Sequence, residues 1–319
     1  MLFSLVVPAF NASQTVTRCL DSVYALPLNE NEFEVLAIDD CSTDNTVEVL
    51  EEYQKNHPNL TLYRQSENHR QGAARNIGVA KATGDFIVFS DSDDEVAEGL
   101  LQAVKMAVDR QLDMVAMRSV EVTSEGKVDC ETCLPYEAET VFSGVTLQTE
   151  HPFWTTAPWA YVYRRSFLTS VNYPFVEDML YEDSDFVNIH LYHAQRMAYC
   201  DVCGYRAHQN VVSTTHTISY KHLADYALLG TRMLAFYESL PDKTTKYADS
   251  ILEGGSYNIM MSFRKLYRLK SLKEIRAFYA RLDAHYDRQR LRGYRKPAYC
   301  WTWWTRLCIN APFGKNKKQ

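Results

Sequence analysis

Thr83-Gly84-Asp85-Phe86-Ile87-Val88-Phe89-Ser90-Asp91-Ser92-Asp93-Asp94 is the stretch from which the fold is read. Phe86 to Phe89 is a continuous apolar run opened by a Gly-Asp turn, the pattern of a strand buried on both faces. It ends in three carboxylates within four residues. Like charges this close repel and lower stability unless a cation sits among them. Asp91 and Asp93 are two apart, so both reach one point if the strand end turns. Their hard oxygens suit Mg²⁺ or Mn²⁺, ions commonly shared with substrate phosphates. The residues alone leave two readings open: a metal-diphosphate site, or a solvated acidic loop.

Toward the N-terminus the same grammar repeats. Phe3 to Val7 reads as a buried strand closed by Pro8, and Ser13 as the N-cap of a helix whose Val16, Cys19, Leu20 and Val23 share a face. Phe33 to Ile38 is a second strand, ending in Asp39-Asp40-Cys41-Ser42-Thr43-Asp44. A helix with Val47, Leu50 and Tyr53 inward follows, then a strand over Leu60 to Tyr63. Gly72 to Ala82 is a helix of small residues that permit close packing. Beyond the opening stretch come a helix with Leu100 and Val104 and a strand over Asp113 to Met117. This alternation predicts an α/β fold with a mostly parallel sheet flanked by helices, joined by right-handed crossovers. Ligands of such sheets bind outside the carboxyl ends of the strands. Pro8-Ala9-Phe10-Asn11, Asp39 and Asp91 all fall there. No G-x-G-x-x-G follows the first strand and no phosphate-binding G-x-x-x-x-G-K-[ST] occurs, so two common nucleotide cradles are excluded.

Toward the C-terminus the chain is expected to leave the parallel sheet over Val120 to Thr149. An aromatic, basic segment follows from Ala157 to Phe167. Glu182-Asp183-Ser184-Asp185 opens a helix, where acids either complement the helix dipole or serve as a general base facing a cleft. Met197 to Cys200 reads as an edge strand and Gly204 to Ser213 as a loop rich in phosphate-friendly side chains. Helices are expected over Lys221 to Leu240, Asp249 to Tyr267 and Leu272 to Tyr286. The tail from Arg288 to Lys318 mixes basic residues with Trp301, Trp303 and Trp304. It suits either a membrane interface with anionic lipids or a last helix packed on the domain.

The 319 residues carry 46% apolar and 23% charged residues, as soluble globular proteins do, and a net charge of -6 excludes a generally basic nucleic-acid binder. The charge is uneven: residues 281–319 hold ten Lys/Arg and two Asp/Glu, the remainder 24 and 38. No export signal and no membrane span is visible, so a cytoplasmic protein with reduced thiols is expected. Two C-x-x-C pairs, Cys130/Cys133 and Cys200/Cys203, allow a zinc site, but ordinary thiols fit better because neither pair lies in a Gly-rich turn.

Six segments in order resemble the family 2 glycosyltransferases, inverting enzymes of the Rossmann-like GT-A fold. Val7-Pro8-Ala9-Phe10-Asn11 looks like V-P-x-[YF]-N. Ile38 to Asp44 is similar to D-D-G-S-T-D, with Cys41 in place of Gly. Gly72-Ala73-Ala74-Arg75-Asn76-Ile77-Gly78 matches the core of G-x-[AS]-x-A-R-N-x-G, and Gly84-Asp85 with Asp91-Ser92-Asp93-Asp94 matches G-[DE]…D-x-D-D. Glu182-Asp183 resembles the E-D motif, and Arg206-Ala207-His208-Gln209-Asn210-Val211-Val212-Ser213 the R-x-H-x-N-x-x-S loop. The resemblance covers residues 3–215. Many relatives carry Lys where Tyr161 stands, and the segment between Asp201 and Arg206 is about two residues short against the family pattern.

The resemblance implies roles. Pro8, Ala9, Phe10, Asn11, Asp39 and Arg75 would hold the nucleotide, with Asp39 accepting from a ring N–H of a uracil-like base. Asp91 and Ser92 would lie along the donor, Asp91 at the ribose. Asp93 would ligate Mn²⁺ or Mg²⁺, joined by His208, and Arg206 and Ser213 would hold phosphate oxygens. Asp183 would be the base for the acceptor hydroxyl, with Glu182 and Trp159 orienting it. Residues 1–118 would form a nucleotide-sugar-binding half, 119–215 an acceptor-binding half, and 216–319 a helical C-terminal extension with a basic, Trp-rich tail. The implied reaction moves a sugar from a nucleotide-sugar, UDP-sugars first, to a glycan or lipid-linked acceptor in cell-surface polysaccharide or glycoconjugate synthesis. Two alternatives stay in view: a nucleotidyltransferase, and a non-catalytic nucleotide- or glycan-binding protein of the same fold. Intact Asp91, Asp93 and Asp183 speak against the second.

Overall fold

The computed structural model describes residues 1–137, 140–152, 154–209, 219–269 and 271–286. They fall into two compact units. One runs to Asp178 and resumes at Glu182 through the last strand; the other takes Met179–Tyr181 and the helices from Tyr220 on.

The first unit opens with β1 (Phe3–Ala9), α1 (Val16–Tyr24), β2 (Phe33–Asp39), α2 (Thr46–Asn56), β3 (Leu60–Arg64), α3 (Arg70–Lys81) and β4 (Phe86–Phe89). It continues with β5 (Glu95–Val96), α4 (Gly99–Asp109), β6 (Met114–Val122), β7 (Val128–Thr132) and α5 (Gly144–Glu150). It closes with β8 (Tyr161–Arg164), α6 (Arg165–Val171), α7 (Glu182–His193) and β9 (Met197–His208). Nine strands form one sheet in the order β3-β2-β1-β4-β8-β6-β9-β5, with β7 beside β6. β3, β2, β1 and β4 are parallel neighbours. β8 then enters antiparallel to both β4 and β6, and β9 runs parallel to β6. Six strands therefore share one direction, opposed by β5, β7 and β8.

The unbroken apolar runs of β1, β2 and β4 follow from helices covering both faces of the sheet. Leu5, Val7, Val35, Ala37, Phe86 and Val88 pack into one core layer. Their neighbours Val6, Leu36, Ile38, Ile87 and Phe89 pack into the other. Each such side chain removed from water contributes about 1.5–3 kcal/mol, which fixes the strand register. Gly84 sets where β4 begins. A β-carbon there would sit 2.5 Å from the Phe3 carbonyl carbon and 2.6 Å from the Ser4 nitrogen. Without one, the Gly84 N–H reaches Ser4 Oγ at 2.9 Å.

Two sequence expectations change, and a third holds. Ser13 is not an N-cap: α1 begins at Val16 after Thr15, and the Ser13 N–H bonds Asp44 Oδ2 at 3.2 Å instead. Met197–Cys200 pairs with β6 along one side, as an edge strand does, with a single bridge from Phe142 to Met197 on the other; β5 flanks only Tyr205 and Arg206, further along β9. Gly204 to His208, expected as loop, is the second half of that strand. Its pairing with β6 skips residues at Met117/Arg118 and Arg118/Ser119, an irregularity that falls on the shortened segment after Asp201.

The second unit contains α8 (Tyr220–Ser239), α9 (Lys246–Arg264) and α10 (Leu272–His285), close to the helices expected. Ser219, Thr245 and Ser271 cap them by accepting backbone N–H bonds. Asp225 of α8 is fully buried. It accepts the Leu180 N–H at 3.0 Å and pairs with Arg281 of α10. No described helix is long and apolar enough to cross a membrane. The tail 288–319, with its expected membrane contact, lies outside the described residues, as do Cys300 and Cys308.

Candidate active site

Parallel pairing brings the ends of β1, β2 and β4 together, and the turns beyond them are clipped to one another. Pro8 and Ala9 pair with Ile38 and Asp39. Asn11, in the left-handed region (φ 51°), gives its N–H to Ser42 Oγ at 2.9 Å and accepts the Thr43 N–H at 2.8 Å. Asp39 is 2% exposed and accepts the Ser42 N–H. Asp40 is tied to the His69 N–H at 2.8 Å and Gln65 Nε2 at 2.7 Å. Phe10 stands beside them as a residue 48% exposed, an apolar side chain open to a ligand. Cys41 has φ 63°, the left-handed conformation that explains why the family pattern has Gly there.

Beyond β4 the acidic run is organised by β9. Tyr205 donates its hydroxyl to Asp94 Oδ2 at 2.8 Å and receives the Asp91 N–H at 3.0 Å. The His208 N–H reaches Asp94 Oδ1 at 2.7 Å. Burial first, then the charges of Asp91 and Asp93, push the Asp94 carboxyl up to about 8. This carboxyl is a structural post, held by the Tyr205 hydroxyl and the His208 N–H. Arg18 donates to the Asp93 carbonyl, and Ser92 and Asp93 lie half-buried beside it.

A cation would relieve that crowding, and carboxylate oxygens are the right donors for Mg²⁺ or Mn²⁺. Among the described residues no group of three or more His, Cys, Asp or Glu is arranged to hold an ion unaided. An ion held by Asp93 would have to take its other ligands from water and a bound diphosphate. His208 Nε2 is paired with Glu95 Oε2 at 2.5 Å, and Arg206, exposed, faces Glu95 across β9 and β5.

The third cluster lies at the start of α7. Arg75 of α3 is 2% exposed. It donates to Glu182 Oε1 at 2.6 Å, to Asp91 Oδ1 at 2.8 Å and to Gln71 Oε1 at 3.2 Å. Burial pushes Glu182 up to about 7; Arg75 opposes the rise and Asp183 adds to it. Asp183 is likewise raised, by burial first and against the pull of Arg75. Its Oδ1 accepts the Ser184 N–H at 2.8 Å. A carboxylate raised toward neutrality is a better proton acceptor at physiological pH than an ordinary one.

Trp159 stacks on Tyr205, ring centres 4.4 Å apart and planes at 8°. Tyr161, standing where many relatives have Lys, is fully buried and donates its hydroxyl to the Thr155 carbonyl at 2.9 Å, so it supplies no charge to the site. Ser213 lies outside the described residues. Cys130 and Cys133 are exposed, Cys200 is buried and Cys203 half-buried, all with free thiols. Sequence reasoning missed Tyr205, Glu95 and Gln71 as parts of the site, and it singled out the Asp91–Asp94 run without foreseeing that Asp94 is held by Tyr205 and the His208 N–H. The alternation of Gly204-Tyr205-Arg206 was the available signal for Tyr205; the partners of Asp94 had none.

Comparison with known proteins bears on the family and the fold. The family described as Glycosyl transferase family 2 matches residues 4–167, slightly more than half of the chain. An uncharacterized glycosyltransferase YibD of Escherichia coli K12 is 26% identical over 272 residues, 82% of this chain and 77% of that protein. The poly(ribitol-phosphate) beta-N-acetylglucosaminyltransferase TarS of Staphylococcus aureus is 34% identical over 128 residues, 40% of this chain. That match spans only 22% of TarS. Among solved structures, TarS 1-349 in complex with UDP-GlcNAc superposes with a TM-score of 0.65 at 22% identity, over 91% of this chain and 85% of that one. The mannosyltransferase PcManGT of Pyrobaculum calidifontis, in complex with GDP-Man and Mn²⁺, gives a TM-score of 0.56 at 17% identity, over 96% and 84%. These structural likenesses are likenesses of fold, the GT-A fold.

Proposed function

The chain belongs to glycosyl transferase family 2, and from that premise we propose that it moves a sugar from a UDP-sugar to a hydroxyl of a glycan or lipid-linked acceptor, inverting the anomeric carbon. The observation that carries this reading is the convergence of Asp39, the Asp91–Asp94 run and Glu182-Asp183, the last two joined through the buried Arg75. The relatives that act on poly(ribitol-phosphate) support an acceptor in cell-surface polysaccharide synthesis. The UDP-GlcNAc complex of a protein of this fold supports the donor class.

The nucleotide lies over the ends of β1 and β2, its base against Phe10 and its ring N–H toward Asp39. Pro8, Ala9 and Asn11 shape that floor, and Asp91 and Ser92 continue the track toward the sugar. Asp93 would hold a Mg²⁺ or Mn²⁺, which when bound would supply positive charge for the leaving diphosphate. Arg206 and Ser213 bind phosphate oxygens. His208 joins them only by leaving Glu95, its partner here. Asp183 takes the acceptor hydroxyl proton while that oxygen bonds to the anomeric carbon and the bond to the diphosphate oxygen breaks, releasing UDP. Attack from the face opposite the leaving group inverts the centre. A positioned base contributes about 10²–10⁴-fold. Glu182 and Trp159 flank the base and orient the acceptor.

The test is UDP release from a panel of UDP-sugars with Mn²⁺, for the wild type and Asp183→Asn. UDP binding is expected to persist in the variant while turnover falls at least a hundredfold. Near-normal turnover by Asp183→Asn rules it out as the base, and absence of any turnover by wild type across the panel favours a non-catalytic binding protein.

A further inference from the structure

Arg75 holds a place that a nucleobase contact would not need. It is 2% exposed, and its two terminal nitrogens are taken by Gln71, Asp91 and Glu182. Its Nε is buried as well and has no partner among the described residues. The guanidinium also lies 5.4 Å from the centre of the Phe175 ring. Neither the nitrogens nor that side of the guanidinium is open to a base in the nucleotide track.

We propose that Arg75 is a positioning residue for the proton transfer rather than a contact to the nucleotide base: it clamps Asp91 and Glu182 to one buried cation and thereby keeps Asp183 ionised and aimed. The proposal rests on Asp183 being the base. Its physical content is a charge balance. One cation sits among three carboxylates, Asp91, Glu182 and Asp183, whose charges all act on it. Asp91 belongs to the donor side and Glu182 to the acceptor side, so one guanidinium ties the two halves of the site together. Removing it takes away the cation that opposes the effect of burial on Glu182 and Asp183, and proton uptake by that pair is then favoured. The charged groups that act on the pair are Arg75 from α3 and Asp91 after β4, with Asp183 acting on Glu182; Tyr163 of β8 lies close enough to feel Asp183. Tyr163 is buried and held neutral at physiological pH, since burial pushes its phenol far above the ordinary range. Among the described residues Arg75 is thus a cation that acts on Asp183 directly. Gly72, one turn earlier on α3, fits the same arrangement. A β-carbon there would meet the Val176 carbonyl at 2.4 Å and Glu182 Cγ at 3.2 Å, so the helix approaches the dyad closely enough for Arg75 to reach it.

The test follows the ¹³C-carboxyl resonance of Asp183, assigned by its loss in Asp183→Asn, as pH is varied in the full chain with no donor present. Arg75→Met is expected to move the Asp183 midpoint up by at least one pH unit. Glu182→Gln, which removes a negative neighbour and leaves the cation, is expected to move it down. The acidic limb of turnover should move with the midpoint, and Arg75→Lys should restore most of the wild-type value. An Asp183 midpoint that stays within 0.3 pH unit (about twofold in the proton equilibrium) in Arg75→Met overturns the proposal, whatever happens to UDP affinity. Should Arg75→Met fail to fold, Arg75→Gln, which keeps a polar side chain without the charge, decides: a midpoint that stays within 0.3 pH unit (about twofold in the proton equilibrium) overturns it. These outcomes are read without turnover. A shifted midpoint with full activity in Asp183→Asn would therefore refute the base assignment alone, whereas an inactive Asp183→Asn with an unshifted midpoint would refute the clamp alone.

Discussion

Gly72 has no room for a side chain. The Val176 carbonyl oxygen occupies the place of its β-carbon at 2.4 Å, and backbone cannot turn aside as a flexible side chain can. Gly72→Ala is expected to force α3 away from Val176 and Glu182 and to lower stability by about 1–3 kcal/mol. Urea unfolding measures it, and an unchanged midpoint would show that the helix shifts freely. The small-residue run Gly72-Ala73-Ala74 announces close packing in the sequence. What it packs against was not legible, because residue 176 lies a hundred positions away. Cys41 shows the opposite case. Its departure from the family's Gly was visible, and the left-handed φ of 63° gives the reason a Gly is common there. A left-handed non-Gly residue costs about 1–2 kcal/mol, held in place here by the bonds that tie Ser42 and Thr43 to Asn11.

Among the elements, α2 depends on one carboxylate. Asp44 accepts the Thr46 N–H at 3.0 Å and the Ser13 N–H at 3.2 Å, joining the start of α2 to the approach to α1. Burial by itself would raise its pKa. The hydrogen bonds from Thr46 and Ser13 outweigh that and hold it at about 2, below its ordinary 3.8. A depressed carboxylate contributes stability that is fully present above its unfolded value and is lost as pH falls through its folded one. The stability difference between wild type and Asp44→Asn should therefore shrink as pH is lowered from 5 to 2. A difference that does not vary with pH would contradict this. At this scale the sequence was most legible where period was strong: β1, β2, β4 and the three C-terminal helices. It was least legible in β8 and the end of β9. β8 has four residues and takes its place only through pairing with distant β4 and β6. The second half of β9 carries Arg206 and His208, polar residues that read as loop until β6 and β5 pair with them.

For the whole molecule, the parallel half followed from the alternation of strands and helices, and the carboxyl-end rule placed the candidate site before any resemblance was considered. The insertion of β8 between β4 and β6 did not follow, because consecutive elements are only usually neighbours. That insertion matters to the site: it places Trp159, at the entry to β8, against Tyr205 of β9, and Tyr205 holds the acidic turn through Asp94. The central claim is that this turn and the ends of β1 and β2 bind a uridine diphosphate with a divalent ion. The measurement that tests it most directly is the thermal unfolding of the full chain with UDP, with and without Mn²⁺, for wild type and Asp93→Ala. A ligand specific for the native state stabilises it by about 2.7 kcal/mol at a hundred times its dissociation constant. The account predicts that UDP with Mn²⁺ raises the transition, that UDP without the ion raises it less, and that Asp93→Ala abolishes the difference. A transition that UDP leaves unmoved in the presence of Mn²⁺ would contradict it.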